Sequence, residues 1–165
     1  MSRKSSLIKI IHRTNTGSGR LADSAIDKRN LQIVRALMAS HRDLSPKELF
    51  VFAFVLHHAG DRQTQFHKAA LLAQRSHRGG FQKAGPLFAS AFDRHLVATG
   101  RKQKYGTQYQ WNAEHRSFRL LPTDGSASNV ERQMLGLVHA SDIAETLPVS
   151  AQVPLQGIEG HDRLT

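Results

Sequence analysis

Eight consecutive apolar residues, Leu49-Phe50-Val51-Phe52-Ala53-Phe54-Val55-Leu56, follow directly on Ser45-Pro46-Lys47-Glu48. The tetrad is a helix start. Ser45 can cap the first turn, Pro46 suits the first helical position where its missing N–H costs nothing, and Glu48 completes a capping box. The helix that follows has no polar face, so it must be surrounded by protein. It is also far shorter than the roughly 18 residues of a membrane span, which makes it a core helix. It ends in His57-His58-Ala59-Gly60-Asp61.

The remaining periodicities supply what surrounds it. Ile26, Ile33, Val34, Leu37 and Met38 recur near a 3.6-residue period and predict a helix over about 23–41. A third helix is expected over about 64–76, with Phe66, Ala69, Ala70, Leu72 and Ala73 inward and Gly79-Gly80 closing it. A fourth is expected over about 86–99, with Leu87, Phe88, Ala91, Phe92, His95 and Leu96 inward and Gly100 stopping it. Ser128-Asn129-Val130-Glu131 repeats the capping-box pattern before a short helix that Gly136 ends, and residues 141–147 can add a further turn or two.

Between these lies Gln103-Lys104-Tyr105-Gly106-Thr107-Gln108-Tyr109-Gln110-Trp111, which holds both tyrosines and the only tryptophan. Alternation puts Gln103, Tyr105, Thr107, Tyr109 and Trp111 on one face of a strand, and Lys104, Gly106, Gln108 and Gln110 on the other. Asn112 to His115 reads as a turn and 116–121 as the returning strand. A two-stranded hairpin is marginal alone, so its aromatic face is expected to pack on the helices. Gly106 marks a bulge or a close backbone approach. The fold class is therefore mainly α: a small helical domain, residues 21–147, with one antiparallel β-hairpin at about 103–121. Residues 1–20 carry five basic residues and no acid, and read as a flexible arm; 148–165 have no period and read as a disordered tail.

Charge and absent motifs narrow the chemistry. There are 23 Lys+Arg against 13 Asp+Glu, a net +10, which favours polyanionic partners. With no cysteine, disulfides and thiolate metal sites are excluded. No dinucleotide or phosphate loop, metalloprotease helix or nucleophile elbow is present, so no cofactor and no metal site is indicated. No apolar run suits a membrane span or a secretory leader, and a cytoplasmic protein is expected. The pair His57-His58 can be bonded to local carbonyls at a helix C-terminus, or His58 can carry a proton with Asp61 one turn away.

The order His58-Ala59, Phe66, Leu71, Asp93-Arg94, Gly100, Gln103 and Tyr105-Gly106-Thr107-Gln108 resembles a bacterial family of unassigned activity, domain of unknown function family 6624. The resemblance runs on through Pro122, Asp124, Val130, Arg132 and Gly136-Leu137, covering roughly residues 50–142. The pattern departs from the family at Gly60-Asp61 and His67, so the resemblance implies no role for Asp61 or His67. It implies a site at His58, Asp93, Arg94, Gln103, Tyr105 and Gln108 without naming a reaction. Two functional classes follow. In an enzyme, His58 is the acid/base, Asp93 orients it, Arg94 and Tyr105 complete a catalytic set, and Gln103, Gly106, Thr107 and Gln108 bind a small polar or anionic substrate. In a nucleic-acid-binding protein, Arg75, Arg78, Lys83, Arg101, Lys102 and Lys104 contact phosphates and exposed aromatics stack on bases.

Overall fold

The computed structural model describes residues 24–40, 43–59 and 63–148. The basic arm, Asp61 and the tail beyond Pro148 lie outside the described residues. Five helices and a small sheet follow in the order α1 (Ser24–Ser40), α2 (Pro46–Ala59), α3 (Gln63–Arg78), α4 (Ala84–Ala98), β1 (Tyr109–Asn112), β2 (Ser117–Leu120), α5 (Asn129–Met134) and β3 (Thr146–Pro148), with a 3₁₀ turn at Ala140–Asp142 before the last strand.

Helix α2 begins as its sequence requires. The Ser45 backbone N–H and hydroxyl both donate to Glu48 Oε2 at 2.8 Å, and the Glu48 N–H returns a longer bond to Ser45 Oγ at 3.4 Å. Leu49, Val51, Phe52, Ala53, Val55, Leu56 and His57 are all buried. Val34 of α1 packs on Val51, Phe52 and Val55, while Ala73 of α3 and Leu87 of α4 close over Ala53. Phe50, Phe54 and His58, one turn apart along a single face, are only half-buried, so the helix is enclosed on every side but that one.

Helices α3 and α4 form an antiparallel hairpin. At one end the Gln63 amide donates to the Ala98 carbonyl, and His95 Nδ1 lies 3.3 Å from the Gln63 carbonyl. At the other, the Phe81 N–H bonds back to the Ser76 carbonyl at 3.2 Å. The expected glycine stops are all used in the same manner. After α3, α4 and α5 the second residue past the cap bonds back over the last turn, as in Arg101 N–H to the Leu96 carbonyl at 2.9 Å and Leu137 N–H to the Arg132 carbonyl at 2.9 Å. Gly100 makes that turn with φ of 76°, a conformation that costs a residue with a Cβ. Pro86 sits at the third position of α4 and not the first, still within the turn whose N–H groups have no helical acceptor.

The strand reading of 103–111 needs correction. Only Tyr109–Asn112 is strand, paired antiparallel with Ser117–Leu120, and β3 adds to the far side of β2. Residues 103–108 form an irregular loop, with Gly106 at φ of 70° and one isolated bridge from Gln103 to Thr123. Alternation of faces fails with it. Gln103 and Gln108, expected on opposite faces, are both buried. Trp111, expected inward, is 38% exposed and rests on Phe118 with ring centroids 4.9 Å apart.

Candidate functional site

The loop 103–108 is organised by one side chain of α4. Asp93 is 0% exposed. Its Oδ1 accepts from the backbone N–H of Lys104 at 2.8 Å and of Tyr105 at 2.9 Å; its Oδ2 accepts from the Thr107 N–H at 3.1 Å and the Thr107 hydroxyl at 2.8 Å. Backbone donors that a strand would have given to a neighbour go to a carboxylate instead. Burial pushes the Asp93 carboxyl above its ordinary value, and the bonds from Tyr105, Thr107 and Lys104 oppose that rise.

The two glutamines finish the loop. Gln103 Oε1 accepts from the Gln108 N–H at 2.8 Å while its Nε2 donates to the Gln108 carbonyl at 3.0 Å, so one side-chain amide pairs with the backbone of Gln108 as a strand neighbour would. Gln108 Nε2 in turn donates to Thr107 Oγ1 at 3.0 Å and to the Ser90 carbonyl at 3.3 Å. Ser90 Oγ lies 3.4 Å from His57 Nε2. A buried polar chain thus runs from the end of α2 to Asp93, through His57, Ser90, Gln108 and Thr107.

His57, and not His58, is the histidine in that chain. It is 0% exposed and its Nδ1 has no partner among the described residues. The neighbouring His58 ring packs on Phe54 at 4.3 Å and meets His57 edge-on at 5.0 Å. Arg94 donates from Nη1 to the His57 carbonyl at 3.2 Å and lies 4.6 Å over the Phe66 ring, so it caps the C-terminus of α2 with a cation. Burial, then the neighbouring His58 and Arg94 charges, push His57 well below the usual histidine value; burial and Arg94 lower His58 to about 4. Both rings are neutral at pH 7. A helix apolar on all sides gives no periodic clue to which of two adjacent histidines faces inward.

Tyr105 leads outward. Its ring is 2% exposed and packs with Ala89 and Leu135, while its hydroxyl donates to Glu131 Oε1 at 2.7 Å. Lys104 Nζ reaches the same oxygen at 2.9 Å. Glu131 was legible only as a capping-box acid. The structure uses half of that box: Ser128 Oγ accepts the Glu131 N–H at 3.1 Å, and the carboxylate turns away to Lys104 and Tyr105. Those two bonds hold its carboxyl below the usual range, and burial with the bond to Glu131 pushes the Tyr105 phenol far above its own, so Tyr105 is a hydrogen-bond donor and not a base. Beside them a cleft of about 300 Å³ opens between α3 and α4, walled by Leu71, Phe88, Phe92 and Tyr105, with His67, Gln74, Lys104 and Glu131 at its polar rim.

The structure divides the sequence-predicted residues into three groups. Asp93, Gln103, Thr107 and Gln108 form one buried loop lock around Gly106. Arg94 and the two histidines form the helix end behind it. The basic residues do not form one patch: Arg75, Arg78 and Lys83 lie at the turn between α3 and α4, and Arg101, Lys102 and Lys104 at the far end of α4, about 21 Å away along its axis. Among the described residues no group of three or more His, Asp or Glu is placed to hold a metal ion, and no helix is long and apolar enough to cross a membrane.

No protein-family model, curated protein or solved structure matches the chain.

Proposed function

We propose that this protein binds a polyanion, specifically a nucleic-acid strand, along the outer side of the α3–α4 hairpin. One observation carries the reading. From residue 63 to 104 the chain has eight Lys+Arg and a single acid, Asp93; that acid is fully buried and bonded to its own loop, while Lys68, Arg75, Arg78, Lys83, Arg101 and Lys102 are exposed. The hairpin therefore presents cations at both ends with no exposed carboxylate of its own between them. A strand of several nucleotides is needed to bridge the separation of about 21 Å.

An enzyme built on His58, Asp93, Arg94 and Tyr105 is the less favoured reading. Asp93 and Arg94 already bond to backbone groups of the fold, and Tyr105 holds its proton too tightly for base catalysis. Kinship with family 6624 remains a proposal of the same kind. The pattern that carries it, Asp93-Arg94 with Gln103 and Tyr105 to Gln108, is the set that builds the loop lock, so it speaks for a shared loop architecture.

The test is binding of a fluorescein-labelled 15-nucleotide single strand, followed by anisotropy between 50 and 200 mM salt. Five or six phosphate contacts predict a loss of about a hundredfold over that range. Neutralising Arg75 and Arg78, or Arg101 and Lys102, to glutamine should each lower the logarithmic salt slope by about 1.4, whatever the base sequence. No binding at 50 mM salt, or binding that ignores all four substitutions, overturns the proposal.

A further inference from the structure

The cleft between the two basic ends has a chemistry of its own. His67, Leu71 and Gln74 follow one another at four- and three-residue steps, so they share one face of α3, and Arg75 and Arg78 continue that face toward the turn. Leu71 is 52% exposed and lies beside two half-buried phenylalanine rings, Phe88 and Phe92, whose centroids are 5.8 Å apart. The rim carries both kinds of polar group. Lys104 and the Gln74 amide can donate; Glu131 accepts, fixed in place because Lys104 and Tyr105 both bond to its Oε1 and leave Oε2 to a ligand. An apolar slot of about 300 Å³ with donors and acceptors at its edge suits one flat heteroaromatic ring.

We infer that this cleft takes a single unstacked base of the bound strand, packed against Leu71, Phe88 and Phe92, with Glu131 accepting a hydrogen bond from its exocyclic amino group. The inference rests on the polyanion reading and adds to it a preference for single strands carrying amino-bearing bases. Adenine, cytosine and guanine carry that amino donor; thymine has none and offers only its ring N3–H. The aromatic floor adds affinity to that of the phosphate contacts for any base that enters, since stacking is tolerant of sequence. The single-strand preference follows because a base inside a duplex cannot leave its stack without losing its pairing and stacking partners.

Three probes of equal phosphate count separate the possibilities: 15-nucleotide strands of all deoxyadenosine, all deoxythymidine, and an abasic deoxyribose-phosphate backbone. At 100 mM salt the adenine strand should bind about tenfold more tightly than the abasic one, with thymine between them. Leu71→Ser, a change at an exposed position, should shrink the advantage of both base-bearing strands. Glu131→Gln should remove the preference for adenine over thymine, while the loss of a carboxylate beside Lys104 should tighten the abasic strand along with the others, and thermal melts of both variants check that they fold. Equal binding of all three probes to the unaltered protein overturns the cleft while the polyanion reading stands. An advantage that survives both substitutions places the bases elsewhere and also overturns it. Failure of every probe to bind at 50 mM salt removes the polyanion reading and the cleft together.

Discussion

Replacing Asp93 by asparagine tests whether the loop 103–108 is held by a carboxylate. The substitution keeps shape and volume. With the amide oxygen at the Oδ1 position, the bonds from Lys104 N–H and Tyr105 N–H survive as neutral bonds. The Oδ2 position becomes an NH₂ facing the Thr107 N–H, and donor meets donor. The Thr107 hydroxyl can rotate to accept from the new amide, at the expense of its own bond to the carboxylate. An orphaned buried donor costs about 1–3 kcal/mol, and converting two charge-assisted bonds to neutral ones about 1 kcal/mol each. Removing a buried charge returns part of this, because burial itself raises the Asp93 carboxyl. The net expectation is a loss of about 2–4 kcal/mol, a fall in melting midpoint of about 10 °C for a domain of this size. Calorimetry at pH 7 measures the midpoint. Amide hydrogen exchange then gives the local answer: Thr107 should exchange much faster in the variant, with Lys104 less affected. A midpoint within about 2 °C of the original, or unchanged protection at Thr107, refutes the carboxylate anchor.

Two further outcomes concern the helical core. His57 and His58 are lowered on folding, so the unfolded chain binds protons that the folded one does not; stability is complete above about pH 6.5 and falls as pH drops, by about 1.4 kcal/mol per pH unit for each ring. The unfolding free energy from urea titrations should therefore fall between pH 6.5 and 5, by about 1–2 kcal/mol for His58 alone, and His58→Phe should weaken that dependence; Asp93, raised on folding, contributes with the opposite sign, and a flat profile would count against both burial and charge as causes. Gly85→Ala, which on helix propensity alone would stabilise α4 by about 1 kcal/mol, should instead destabilise by about 1–3 kcal/mol. Its Cβ would lie 2.5 Å from the Leu135 carbonyl oxygen, a backbone atom that cannot swing aside; an unchanged or raised midpoint in a melt would show that the contact with Leu135 yields.

The helices were legible because their signals are local. The Ser45–Glu48 box, the Ile33–Met38 part of the stripe on α1 and the glycines after α3, α4 and α5 each act within a turn or two of chain, and each does in the structure what its spacing implies. The stretch 103–108 was misread for the opposite reason. Alternation of side chains describes a backbone whose N–H groups bond to another strand, but here Asp93, ten or more residues upstream, captures three of them, and no period within 103–108 records that. The basic residues between 75 and 104 fail similarly as a patch: adjacency in sequence became separation in space once the chain reversed between α3 and α4.

The same distance effect bears on how a polar cluster is read for function. Asp, Gln, Tyr, Thr and Gln in close order describe an active site and a loop lock equally well, since both need side chains that bond to backbone and to each other. Acceptor occupancy distinguishes the two. Both oxygens of Asp93 already receive donors from its own loop, and Gln103 has both ends of its amide committed to Gln108. Glu131, which no motif singled out as a site residue, has both its partners on one oxygen at the edge of an apolar cleft. A ligand at Asp93 would have to displace bonds that hold the fold, whereas a ligand at Glu131 would meet an oxygen with neither of those partners, and for that reason the binding we propose belongs to the cleft beside the Gln103–Gln108 loop and not to the loop itself.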